Sequence, residues 1–306
     1  MRAVMAMVLL MTACTGKSSG DSLWTEHESM RVARSEHPAV VLDGEIVVLG
    51  GFVEVSFGRI SATTTVEAYD PGSDSWRDLP NLPESRHHLM AAVVSSRLFV
   101  IGGFTASGDA MDTVWELVDG EWMDRAPIPV ATGAGAAVNI DGAIYVVGGA
   151  PAGGLLRYDS TMNVWEVLAP PSSNREHLAA AVLDGEVWAL GGRWHGEAFD
   201  TTEIYDPENS DWRNGPKLIE PRSGFGASVM GSAIIVAGGE VFDPVTALSS
   251  VELLGPDGWQ PGESLPFGLH GSPLVTLGDR VYLPGGSTRA AGVDNPGTML
   301  SLQISR

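Results

Sequence analysis

The sequence predicts an all-β protein, a six-bladed propeller over residues 23–306, and three observations carry that reading. First, six tryptophans are each followed 26 residues later by a Gly-Gly pair: Trp24 with Gly50 and Gly51, Trp76 with Gly102 and Gly103, and Trp122 with Gly148 and Gly149. Trp165 with Gly191 and Gly192, Trp212 with Gly238 and Gly239, and Trp259 with Gly285 and Gly286 complete the set. Identical spacings mark a repeat of about fifty residues, the length of a four-stranded blade. Second, apolar runs within each unit are joined by two-residue turns, and few stretches carry a helix-length apolar face. Third, the distance from each Gly-Gly to the next tryptophan runs 26, 20, 17, 21 and 21 residues. One half of each unit is held rigid and the other varies, which is how binding loops sit on a scaffold.

The fourth unit shows why each element forms. The run 178–183 is apolar without alternation, so both faces of that strand are to be buried. Asp184-Gly185 is a hairpin turn whose residues tolerate positive φ. Residues 187–190 return as a second strand ending at Gly191-Gly192, where a backbone without Cβ lets a neighbour approach. A variable loop leads to a third strand at 203–206, closed by Pro207, which lacks the N–H a ladder needs. Trp212 starts the outermost strand. The other turns are Asp43-Gly44, Asp141-Gly142, Ser95-Ser96, Gly231-Ser232 and Gly278-Asp279, with Asp119-Gly120 and Asp257-Gly258 before two of the tryptophans.

The Gly-Gly after an apolar strand, the Tyr-Asp-Pro, the Trp and an Arg ten residues beyond it resemble the kelch repeat. The resemblance runs from Trp24 to the C-terminus and implies a closed propeller. For function it is broad, because kelch propellers include binding modules, scaffolds and a few enzymes. The sixth unit ends after one further strand, 299–304, with no tryptophan strand of its own. The strand at Leu23-Trp24-Thr25 is expected to complete it, so that the two ends of the chain clasp the ring and leave no blade edge open.

Residues 1–13 read as a signal peptide: Arg2, an apolar run at 3–11 too short to span a bilayer permanently, then Met11-Thr12-Ala13-Cys14. That last run resembles a bacterial lipobox, implying lipidation of Cys14, a flexible tether over 14–22, and attachment to the bacterial cell envelope. Cys14 is the only cysteine, so the propeller itself is expected to contain neither thiol nor disulfide. With 18 basic against 38 acidic residues the net charge is −20, which excludes general binding to nucleic acid or to an anionic membrane surface. A monomer touching the membrane only through its lipid is the expectation.

In an up-and-down blade the loops after Gly-Gly and after Trp share one face, and that face is expected to bind. Ten residues after Trp stand Arg34, Arg86, Arg175 and Arg222, with Thr132 and Leu269 breaking the series; His88 and His177 lie two further on, and Arg193 and Trp194 follow the fourth Gly-Gly. Two readings stay open for the arginines: a guanidinium collar for an anionic group, or brackets bonding carbonyls of the adjacent blade. Trp194 is a stacking platform or local packing. The repeat tryptophans and glycines are structural. The run Gly16 to Gly20 matches Gly-x-Ser-x-Gly only inside the expected tether, with no strand before it, and no His-Glu-x-x-His and no free thiol is present, so no catalytic residue, cofactor or metal is expected. The reading is a binding or scaffold module for a protein or carbohydrate ligand, anionic ones included. The alternative implied by the resemblance is a sialic-acid-type mutarotase, for which Glu36, Glu176 and Glu220 would be general acid or base.

Overall fold

The structure, a computed structural model, describes residues 22–56 and 59–303. The signal segment, Cys14 and the tether up to residue 21 lie outside them. Among the described residues there are thirty strands and no helix. Six antiparallel four-stranded sheets form the ring. Blade 4 is representative: Ala179–Leu183, Glu186–Leu190, Thr202–Asp206 and Asp211–Asn214 follow one another from the axis outward. Blades 1, 2, 3 and 5 repeat this order over 39–79, 90–125, 136–168 and 226–261.

Blade 6 closes the ring as the sequence predicts. Its inner three strands, Val275–Leu277, Arg280–Pro284 and Met299–Gln303, are completed by Thr25–His27, with Thr25 opposite Ser301 and His27 opposite Met299. Trp24 is buried, and its indole N–H donates to the Glu263 carbonyl at 3.0 Å. The same bond recurs in every blade, from Trp76 to Glu28, Trp122 to Pro80, Trp165 to Ala126, Trp212 to Ala169 and Trp259 to Pro216. Each tryptophan thereby grips the segment leaving the preceding blade: Trp24 binds blade 6 to the segment leaving blade 5, and Trp76 binds the first blade to the segment leaving the last.

The core is divided among the blade interfaces. Six apolar clusters each join two neighbouring blades. In the second strand of blade 1, Ile46 and Val48 face blade 6 while Val47 and Leu49 face blade 2. That is the physical reason the strands read as unbroken apolar runs: both faces are buried. The Gly-Gly pairs permit the close approach. A Cβ on Gly102, at φ +57°, would stand 2.3 Å from the Thr132 carbonyl oxygen of the next crossover. The second glycine of every pair donates its N–H across the interface, to the carbonyls of Arg86, Thr132, Arg175, Arg222, Leu269 and Arg34 in turn, at 2.7–3.0 Å.

The variable half of the unit holds the accessory structure. Hairpins Phe52–Ser56 with Arg59–Ala62, Arg193–Trp194 with Glu197–Ala198, and Glu240–Phe242 with Val245–Ala247 all follow a Gly-Gly pair.

Candidate functional site

Each crossover between blades passes close to the axis, and its twelfth residue after the tryptophan adopts a left-handed backbone. These residues are Glu36, His88, Ala134, His177, Gly224 and Gly271, with φ between 50° and 62°. The N–H of each donates to the carbonyl of the one before it, and Glu36 donates to Gly271, at 2.6–2.8 Å throughout. Six backbone hydrogen bonds therefore form a closed ring around the axis. The same six residues begin the wall of an axial channel of about 180 Å³. Left-handed φ is uncommon for Glu and His, so their presence here is enforced by the ring rather than by local preference.

Over this ring opens a pocket of about 470 Å³, walled by Glu36, His88, His177, Arg193, Glu240 and Phe242 among others. The remaining polar groups come from two further columns of the repeat, the residue before the ring position and the residue after Gly-Gly. These bridge each other in every unit: Ser35 with Phe52, His87 with Phe104, Gly133 with Ala150, Glu176 with Arg193, Ser223 with Glu240, and His270 with Ser287. The bridge fixes the side chains of both columns at the pocket's rim.

The site is a network of close charges. Glu36 Oε2 lies 3.1 Å from His88 Nε2, and Glu36 Oε1 lies 3.3 Å from His270 Nδ1. Burial alone would raise the Glu36 carboxyl, but His88 and His270 beside it hold it well below its ordinary value. Burial likewise opposes a proton on His270, yet the Glu36 carboxylate lifts it to about 9. His88 Nε2 faces His177 Nε2 at 2.7 Å. Burial, then the neighbouring His88, keeps His177 below the usual imidazole range, and the same two causes bring His87 to about 4. Arg193 donates to Glu176 at 3.0 Å, Glu240 at 2.8 Å and His177 Nε2 at 3.1 Å, and its guanidinium lies over Phe242. Burial raises the Glu176 carboxyl, but His177 and Arg193 outweigh it and bring it to about 2.

The four repeat arginines stand elsewhere, each 0–1% exposed. Arg34 donates to the Gly50 and Thr65 carbonyls and to Glu67. Arg175 donates to Gly191, Thr201 and Glu203, and Arg222 to Gly238, Ser250 and Glu252. Each guanidinium thus pins the crossover to the blade it enters, while the backbone carbonyl of the same residue accepts from the preceding blade's glycine. Of the two readings left open for these arginines, the guanidinium collar fails: the cations are enclosed and paired, so they present no guanidinium to the pocket. Bonding runs to the arginine's own blade, and not through the side chain to the adjacent one. Arg86 differs, pairing with Glu84 and lying 5.2 Å over the Trp115 ring.

The repeat explains that exception. The strand register places Glu67, Trp115, Leu156, Glu203, Glu252 and Leu300 at one equivalent position. Against them the crossovers set Arg34, Arg86, Thr132, Arg175, Arg222 and Leu269. Arginine stands opposite glutamate or tryptophan, threonine and leucine opposite leucine. The pair changes together.

The family model described as the KLHDC2/KLHL20/DRC7 Kelch-repeats domain matches residues 36–239. The chain belongs to the kelch-repeat family. Kelch-like protein 35 of Mus musculus is 32% identical over 212 residues, 68% of this chain and 36% of that protein. Kelch-like protein terF of Aspergillus terreus is 26% identical over 287 residues, 83% of this chain and 61% of that one. The chain therefore spans about a third to three fifths of the length of these two relatives. The solved structure of YjhT superposes with a TM-score of 0.74 at 15% identity, covering 90% of this kelch chain and 96% of that one, which is a likeness of fold.

Of the residues singled out by sequence, the kelch ring brings His88, His177 and Arg193 into one pocket. Trp194 is half-buried against His195 and is absent from the pocket wall. Among the glutamates, Glu36 and Glu176 enter the site, while Glu220 turns to Ser250. Phe52, Glu240, Phe242 and His270 were not anticipated. Glu240 and His270 were within reach, since they occupy the same repeat columns as Arg193 and Glu176.

Proposed function

We propose that this kelch propeller is an extracytoplasmic, lipid-anchored binding module. Its loop face holds a polar group of a protein or carbohydrate ligand in the pocket over the axis. The observation that carries the reading is the composition of that pocket: its polar lining comes from repeat columns that change from unit to unit, set on columns that keep the ring rigid. Its volume of about 470 Å³ falls in the range of small-molecule and side-chain sites. Among the described residues, three carboxylates, Glu36, Glu176 and Glu240, surround the cations Arg193 and His270. That balance favours a hydroxyl-rich or amine-bearing group over a bare anion. Kelch domains generally bind proteins, which supports a protein ligand, and Met11-Thr12-Ala13-Cys14 supports attachment to the envelope.

The test is capture of ligand from native envelope extract and on a glycan array, with the native chain and with Arg193→Gln. Loss of the captured ligand in the variant, at unchanged melting temperature, is the expected result. Capture that survives Arg193→Gln but disappears on substitution of Glu45 and Glu186, on the opposite face, would overturn the assignment. A second reading, a sugar-acid mutarotase, is favoured by one arrangement: the Glu36 carboxylate in contact with His88 and His270 can move a proton within the pocket. NMR of sialic acid anomer exchange decides it; an unchanged exchange rate with protein present rejects that enzyme.

A further inference from the structure

We propose that Glu36, His88 and His177 form a binding site for a divalent first-row transition metal of the zinc type. One donor atom from each of the three lies within 4.8 Å of the others, and Glu36 Oε2 and His177 Nε2 both face His88 Nε2. They come from three separate crossovers, and the backbone hydrogen-bond ring fixes all three Cα positions around one point on the axis. Two imidazoles and one carboxylate are a donor set suited to zinc, iron or cobalt when further positions stay open. The other ring positions, Ala134, Gly224 and Gly271, carry no polar side chain. Open coordination positions can therefore be reached by an oxygen of water or ligand from the pocket or the axial channel, both lined by these three residues.

The hydrogen-bond pattern supplies a second argument. His87 Nε2 lies 3.0 Å from the Thr105 carbonyl and must carry its proton there. Its Nδ1 is then an acceptor, which makes the contacting Nδ1 of His88 the donor. In its neutral form His88 consequently turns a bare Nε2 to the axis. His177 Nε2 accepts from Arg193 at 3.1 Å and is bare as well. Two lone pairs face each other at 2.7 Å with the Glu36 carboxylate 3.1 Å from one of them. With His88 neutral, three lone pairs converge on one point, a place that a proton on His88 Nε2 or a metal ion can fill. Opening the imidazole contact by about 0.7 Å lets an ion take both nitrogens at about 2.1 Å.

The surroundings act as outer-shell support. His270 holds Glu36 Oε1 and leaves Oε2 free, while His87 fixes the His88 ring. On metal binding Arg193 gives up its bond to His177 and retains Glu176 and Glu240. Among the described residues three carboxylates against Arg193 and His270 leave the pocket net negative, which attracts a cation. The site revises the expectation that the chain holds no metal. It lies in the pocket proposed for ligand binding but needs no ligand, so the two readings are tested separately.

The experiment is titration of the chelator-stripped, purified full chain with Co²⁺, followed by d–d absorption, and with Zn²⁺, followed by elemental analysis after dialysis. One ion per chain is expected, with a melting temperature that rises with Zn²⁺. His88→Asn and His177→Asn keep a side chain that tolerates left-handed φ, and Glu36→Gln keeps volume. Each should weaken uptake more than about 100-fold, beyond the 10–100-fold typical of an outer-shell partner. His195→Asn, on the exposed hairpin turn, should bind like the native chain. Failure of the native chain to take up one equivalent overturns the proposal whatever the variants do. Uptake unchanged in folded His88→Asn and His177→Asn overturns it too.

Discussion

Replacing the buried pair Arg175 and Glu203 by leucine, singly and together, tests how the ring is held. The guanidinium and carboxylate are 1% and 4% exposed and bond each other. Glu203→Leu leaves a buried cation with only the Gly191 and Thr201 carbonyls and the Thr201 hydroxyl. Arg175→Leu leaves a buried carboxylate with only the Ser172 N–H. Each single change should cost about 3–5 kcal/mol, the penalty for stranding one member of an enclosed pair. The double variant removes both charges and reproduces the Leu269 and Leu300 arrangement already present in blade 6. Its remaining losses are two carbonyl contacts, one long hydroxyl contact and one N–H, about 2–3 kcal/mol together. The double variant should therefore be more stable than either single, with a coupling of about 3 kcal/mol or more. At about 2 °C per kcal/mol for a chain of this size, scanning calorimetry should show singles about 6–10 °C low and the double about 4–6 °C low. Additive losses in the double variant would refute the pairing argument. Singles within about 2 °C of the native chain would show that the charges are not enclosed.

Three shorter predictions follow. Trp24→Ala removes the buried indole that clasps blade 6 and should cost about 3–5 kcal/mol; a melting temperature equal to the native one would deny the clasp. Stability measured in chelator should be greatest near pH 6.5, for two opposed reasons. His270, raised to about 9, adds stability that is complete below the ordinary 6.5 and lost as pH rises through about 9. His87, lowered to about 4, removes stability as pH falls below 6.5. His270→Asn should flatten the alkaline limb, and an unaltered limb would contradict its pairing with Glu36. Cys14→Ala should abolish labelling with a radioactive fatty acid and release the protein from the membrane fraction; normal attachment would exclude the lipoprotein reading.

The fold was legible because its determinants repeat. Trp24, Gly50 and their equivalents each perform one task six times, an indole bond to the preceding blade and a close approach to the following one. Ring closure by residues 25–27 was legible for the same reason: a tryptophan strand without a blade and a blade without a tryptophan strand answer each other. The arginines were placed correctly in the repeat, but their burial was not read from them alone. It depends on the third-strand residue opposite, glutamate for Arg34, Arg175 and Arg222 and tryptophan for Arg86. That pairing is visible in sequence only after the register aligns both columns.

The site was less legible because it is built from what does not repeat. A ring of six equivalent positions can bind an asymmetric group only if the positions differ, so Glu36, His88 and His177 must occupy a column that elsewhere holds alanine and glycine. Such a column has no consensus to detect. Its members are far apart in the chain, and only ring closure turns them toward one axis. His88 and His177 drew notice as histidines near an arginine, and Glu36 only as one acid among several. Their convergence follows from the left-handed backbone that all six share, since the ring's hydrogen bonds demand that conformation whether the residue is glycine or histidine. Where a glutamate or histidine stands in a place that glycine fills without strain, the backbone cost of about 1–3 kcal/mol needs a compensating use. The convergence of three lone pairs on one point is the use that the geometry of this ring offers.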